Sequence, residues 1–179
     1  TEADTVTLPA GAHTITTEFV SPNMNISWFS LEKVAVAAPI DIPATGTTQI
    51  ESESYVSAYD TTSGNSMSNP ATDCTYNGFD VDVGNGATVC EIGWIANGEW
   101  LSYDVNVAEA GDYTLVYRYG SPNNSPGQVQ FKVDGSTVTT TTLTTNTGGY
   151  SNYTTQSTTV TLPAGLHTLR TQFVSPIMN

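Results

Sequence analysis

WLSYDVNVAEAGDYTLVYRY, residues 100–119, decides the fold class. Its two halves, 100–107 and 112–119, alternate apolar and polar residues at period 2, and Glu-Ala-Gly-Asp turns the chain between them. That is the pattern of half-buried strands joined by a tight connection. The same alternation recurs at 129–133 (VQFKV), 158–162 (TTVTL) and 167–174 (HTLRTQFV). Turn chemistry separates these runs: Asp134-Gly135, Pro-Ala-Gly at 163–165, and a Pro- and Asn-rich stretch at 121–127. The Thr-rich run 137–147 reads as an edge strand or, alternatively, as a carrier of O-linked sugar. The best helical period, around 30–36, is short and runs into a Pro-rich stretch. Short strands spaced by roughly ten residues predict an all-β fold, a β-sandwich jelly roll.

The first 25 residues, TEADTVTLPAGAHTITTEFVSPNMN, are written again at 155–179 as TQSTTVTLPAGLHTLRTQFVSPIMN, with 17 of 25 positions identical. A period of 154 residues is the size of one domain plus a linker, the signature of a tandem array. The expected organisation has three parts. Residues 1–36 are the C-terminal strands of a preceding or strand-donating repeat. Residues 37–49 (AAPIDIPATGTTQ) are a linker, and 50–179 a sandwich lacking its final strand. The first copy continues through ISWFSLEKVAV at 26–36, a strand that would complete such a module.

Composition narrows the partners. A chain of 179 residues buries one good core, not two. It sets 17 acids against 4 bases, for a formal charge of −13. That excludes nucleic acid and anionic membrane surfaces, both of which need clustered Lys and Arg. No apolar run approaches the roughly 20 residues that span a bilayer. A neutral polysaccharide and calcium remain permitted. The two cysteines, Cys74 and Cys90, together with few Lys and much Thr and Asn, indicate an oxidising, extracellular setting. A disulfide between them would contribute about 3 kcal/mol in the chain-entropy model; the alternative is two free buried thiols. Sequons at Asn25, Asn123 and Asn152 are weak signals in so Ser/Thr-rich a chain.

The ordered series IESESY (50–55), IGWIANGEWLSYDVNVAEAGDYTLVYRYGS (92–121), VQFKVDG (129–135), NTGGYSNYTT (146–155) and VTLPAGLHTLRTQF (160–173) resembles the family 6 carbohydrate-binding modules. ISWFSLEK at 26–33 resembles that family's final strand. The resemblance implies a non-catalytic, secreted β-sandwich that binds polysaccharide or oligosaccharide at a loop-end cleft, sometimes with a second site on a sheet face. Matched onto the family motifs, Trp94 stacks on one face of a sugar ring and Tyr150, after the Gly-Gly pair, on the other. Tyr153 is a rival for the second role. Asn179, with Asn25 as its counterpart in the first copy, hydrogen-bonds sugar hydroxyls. Aromatics and an amide suit a pyranose, whose faces are apolar and whose rim is polar.

The resemblance also implies structural calcium. Glu51 and Glu53 lie at i, i+2, on one face of an expected strand, where like charges are unfavourable without a cation; Glu32 would add a third carboxylate. Asp80 and Asp82 form a weaker candidate pair that strand alternation explains equally well.

Enzymatic function is not expected. Glu91, Glu99 and Asp104 are the available carboxylates for a glycosidase pair, but they are spread along β-structure without a basic partner. His13 and His167 recur at equivalent places in the two copies, which points to structure. No nucleophile elbow or phosphate loop is present. Two functions follow: a carbohydrate-binding module in a tandem extracellular array, or a structural repeat of a filament assembled head-to-tail by strand exchange through residues 26–36.

Overall fold

The period-2 segments are strands. A computed structural model describes residues 12–18, 30–31, 37–62, 81–85 and 90–174. The chain divides into two compact units, Thr1–Ala35 and Val36–Asn179. In the first unit the described residues, 12–18 and 30–31, carry no strand or helix. The rest of the expected strand-donating segment 26–36 lies outside the described residues.

The second unit carries ten strands and, among the described residues, no helix. They are β1 (Ile40–Ile42), β2 (Ser57–Tyr59), β3 (Val83–Asn85), β4 (Cys90–Ile92), β5 (Trp100–Val107), β6 (Gly111–Tyr119), β7 (Gly127–Val133), β8 (Ser136–Leu143), β9 (Thr154–Leu162) and β10 (Gly165–Val174). The larger sheet runs β1-β5-β10-β7-β8, with β2 also paired to β5. Two smaller sheets, β3-β4 and β6-β9, complete the layers. All pairs are antiparallel except β1 with β5. The Thr-rich run is the edge strand β8. The Asp134-Gly135 hairpin has positive φ at both residues, 49° and 83°, the backbone of a type I′ turn.

Alternation builds the core. Val105, Val107, Phe131, Val133 and Leu169 of the larger sheet meet Val160 and Leu162 of β9, with Tyr113 and Leu115 of β6 packed against them. Leu101 and Tyr103 meet Val83 and Ile92 of the β3-β4 pair, together with Tyr55 and Val81. Each fully buried aliphatic or aromatic side chain contributes about 1.5–3 kcal/mol relative to exposure, so these clusters hold the layers face to face.

Residues 37–49 are more than a linker. Ile40 and Ile42 pair in parallel register with Val105 and Val107 and pack on the first core cluster. Two alternating isoleucines are enough to make a strand here. Pro39 and Pro43 on either side limit it to three residues, because proline donates no ladder hydrogen bond. The module therefore begins before residue 50.

Register also defines two ends of the sandwich. β10 starts with Gly165 opposite Val107 and reaches Gln172 opposite Trp100. One end holds the Asp134-Gly135 turn and the β9–β10 connection. The other holds the segments 93–99, 120–126 and 144–153, and all the sugar-stacking candidates within the described residues.

Candidate functional site

Trp94 follows directly on β4. Gly93 N–H donates to Asp82 O (2.9 Å), and the chain then turns back over residues 94–99 into β5. Glu99 pins this turn from beneath. Its buried carboxylate accepts from Ala96 N–H (2.7 Å), Thr61 N–H (2.9 Å) and the Thr61 hydroxyl (2.6 Å). Gly98 N–H donates to Phe173 O and Phe173 N–H to Glu99 O, both at 2.9 Å. On this fixed base Trp94 sits at φ 53° with 65% of its surface exposed. The left-handed backbone costs a residue with a Cβ roughly 1–2 kcal/mol. An indole in water forgoes the burial that normally recruits it. Both costs fall on one residue.

Tyr150 stands on the loop 144–153 at the same end of the sandwich and is 42% exposed. Thr147 anchors that loop to the end of β6. Thr147 N–H donates to Ser121 O (2.7 Å) and Ser121 N–H to the Thr147 hydroxyl (2.8 Å). The hydroxyl lies within 2.9 Å of Ser121 O and 2.7 Å of Gly149 O, its two available acceptors. Asn146 accepts from Gly148 N–H and donates to Asn124. The backbones approach so closely that a Cβ on Gly120 would lie 2.1 Å from Tyr150 O. Only glycine fits at 120.

Tyr153 is placed differently. It is half-buried, its hydroxyl donates to the buried Glu91 carboxylate, and the Arg118 guanidinium lies 3.8 Å from its ring centroid. Burial, reinforced by the Glu91 carboxylate, pushes the phenol up to about 12. One ring face is already covered and the hydroxyl is engaged.

Asn179, Glu32, Cys74 and Asp80 lie outside the described residues. Cys90, on β4, is disulfide-bonded. Glu51 and Glu53 do not share a strand face. Ser54 N–H donates to Glu51 O (3.0 Å), closing a turn that separates the two carboxylates. Glu51 is exposed and accepts from Gln49, whereas Glu53 is buried beside the Ser52 hydroxyl. Among the described residues no group of three or more His, Cys, Asp or Glu gathers as a metal site. A buried carboxylate beside a turn's carbonyls is nonetheless the hard-oxygen environment that suits calcium, so Glu53 fits that ion better than Glu51 does.

The glycosidase candidates serve as acceptors within the fold. Glu91 takes the Tyr153 hydroxyl, Glu99 holds the Trp94 turn, and Asp104 accepts from the Thr168 hydroxyl at 3.1 Å. One feature escaped sequence reasoning. Trp100 lies on the outward face of β5, opposite Tyr59 of β2, with the Arg170 guanidinium 3.7 Å from its ring centroid. A Trp in register with Ser102 and Asp104, on the polar side of the alternation, was the available signal.

The comparisons agree with this fold. No curated protein matches the sequence. Among solved structures, the C-terminal family 6 module of LamC, a laminarinase from the marine bacterium Zobellia galactanivorans, is 26% identical over 72% of this chain and 90% of its own, with a TM-score of 0.56. A family 6 module from Cellvibrio mixtus lichenase 5A, in complex with cellotriose, is 24% identical over 72% and 88%, with a TM-score of 0.54. A Clostridium cellulolyticum family 6 module in complex with xylose is 22% identical over 72% and 85%, with a TM-score of 0.53. A model of the carbohydrate-binding module family 6 matches residues 71–179, more than half of the sequence, so the chain belongs to that family of non-catalytic carbohydrate-binding modules.

Proposed function

We propose that the module binds polysaccharide outside the cell, gripping a sugar ring at the loop end between Trp94 and Tyr150, with Asn179 at the rim. The observation that carries this reading is Trp94: a bulky ring, 65% exposed, at φ 53° on a turn pinned by five hydrogen bonds. A stacking contact of this kind contributes about 0.5–1.5 kcal/mol beyond its buried area. The likeness to modules solved with cellotriose and xylose makes β-linked glucans and xylans the first probes.

Two supports are proposed for the fold. Glu53 would help to hold a structural calcium ion, which supplies charge neutralisation at a buried carboxylate. Cys90 would pair with Cys74, the only other cysteine in the sequence. The 25-residue repeat supports a tandem array, in which linked modules gain avidity through effective concentration. Self-association through residues 26–36 would appear as concentration-dependent oligomers in sedimentation; a monomer at every concentration removes it.

Titration calorimetry with laminaritriose, cellotriose and xylotriose tests the site. Wild-type protein is expected to bind at least one, and Trp94→Ala to lose about tenfold or more in affinity with unchanged circular dichroism. No binding of any of the three, or an unaffected Trp94→Ala, overturns the reading. Calcium at 100 times its dissociation constant stabilises by about 2.7 kcal/mol, so EDTA should lower the melting temperature of the wild type and not of Glu53→Gln. An EDTA-indifferent melt removes the ion.

A further inference from the structure

We infer that Tyr153 is a positioning residue: its bond to Glu91 sets the separation between the Trp94 and Tyr150 rings. This rests on the proposed binding site. The two rings are carried by different sheets. Trp94 lies three residues beyond Glu91, on the chain leaving β4, and β4 pairs with β3. Tyr150 lies three residues before Tyr153, on the loop entering β9, and β9 pairs with β6. No backbone ladder joins these two sheets among the described residues. The Tyr153 hydroxyl crosses from one to the other and donates to the Glu91 carboxylate.

Everything around the bond fits a strut. Glu91 is buried, so its charge is poorly solvated and the phenol supplies a hydrogen bond that water does not. A hydrogen bond to a charged partner is shorter and stronger than one between neutral groups, and it is directional. The Arg118 guanidinium against the Tyr153 ring fixes the ring's rotation from the β6 side. On the Tyr150 side, the backbone contact at Gly120 and the Thr147 clamp stop the loop from absorbing a shift. On the Trp94 side, Glu99 does the same for the turn. The backbone under each ring is therefore tied to its own sheet; Ile95, beside Trp94, packs on the cluster that includes Tyr119 of β6, and the phenol–carboxylate bond adds the polar tie between the two sheets. A ring of fixed thickness is gripped well only at one separation, so the bond acts on affinity without touching the sugar.

The test compares Tyr153→Phe, which removes the hydroxyl and keeps the ring under Arg118, with Glu91→Gln, which keeps an acceptor. The Trp94–Tyr150 ring separation is read from crystal structures of the full chain and both variants, and affinity from titration with laminaritriose, cellotriose and xylotriose. Tyr153→Phe is expected to change the separation, weaken binding by about tenfold and lower the melting temperature, because the buried Glu91 carboxylate loses its donor. Glu91→Gln is expected to retain both. An unchanged separation in Tyr153→Phe overturns the inference, whether or not any sugar binds. A wild-type chain that binds none of the three sugars overturns the proposed function instead, and leaves the separation to decide the strut. Should Tyr153→Phe fail to fold, Glu91→Ala breaks the same bond from the other side and is judged by the same separation.

Discussion

The two ends of the sandwich solve the same problem, tying loops to a β-framework, with opposite economies. At the Asp134-Gly135 end the tie is a surface ion pair between an exposed Asp134 and a largely covered His167. His167 Nδ1 donates to Asp134 at 2.7 Å, and Asp134 also accepts from Thr168 N–H at 3.0 Å. Solvent screens it, and its backbone is a relaxed type I′ turn. At the other end the ties are buried (Glu99, Ser121, Glu91) while the aromatic rings they support stand in water. The first end is built cheaply from interactions the fold alone requires. The second carries strain, buried charge and exposed indole, none of which the fold requires. The two ends thus differ in where their unfavourable features are concentrated.

The comparison breaks most sharply at Gly120. Adding one methyl group there, as Gly120→Ala, forces the 144–153 loop away from β6, because the clash is with Tyr150 backbone and not with a flexible tip. Overpacking of this kind costs about 1–3 kcal/mol. We expect a melting temperature lower by several degrees and loss of glycan binding, checked by scanning calorimetry and titration. A melting curve like that of the wild type would mean the loop has room the geometry denies.

Trp94→Gly sharpens the contrast. Glycine adopts φ 53° without steric cost, so binding should vanish while stability stays level or rises by up to about 1 kcal/mol. Thermal melts decide it; a clear loss of stability would assign Trp94 to the core.

The smallest effect belongs to the ion pair. The Asp134 hydrogen bond raises His167 above its usual value, while Thr168 N–H and His167 hold the Asp134 carboxyl below its own. His167 therefore contributes stability fully below pH of about 6.5, and loses that contribution as pH rises through its raised value. Asp134 contributes above its ordinary carboxylate range and loses it as pH falls through its depressed one. Exposure limits the whole pair to under about 1 kcal/mol. His167→Gln should flatten the melting temperature between pH 6 and 9 by a degree or two; an unchanged slope would place the titrating group elsewhere.

Much of the sandwich was legible because burial on one face writes itself as period 2. Residues 100–107 are β5 to the residue, and β6, β7, β9 and β10 differ only by extensions at one end. β1 was hidden because Ile-Asp-Ile between prolines has too few residues to establish a period. Glu51 and Glu53 were misplaced for the same reason: two residues at i, i+2 fit a strand or a turn equally well. Trp94 and Tyr150 were singled out through their order along the chain. The Tyr153–Glu91 bond was not, because its partners are 62 residues apart and no local pattern links them. Local pattern carries strands; only folding brings together what supports the site.

β10 lies between β5 and β7 in the larger sheet. It is also the last strand of the described chain to be synthesised. Until it emerges, among the described residues β5 has only the short β1 and β2 for neighbours, and β7 has only the edge strand β8. The sheet thus remains two separate fragments from the synthesis of β8 until β10 emerges, and closes when that single strand inserts between them with ladders on both sides. Non-local closure of this kind is slow. A chain stopped before residue 165 would leave two long open edges instead of a smaller stable domain, so the module should be all-or-none with respect to truncation from that side.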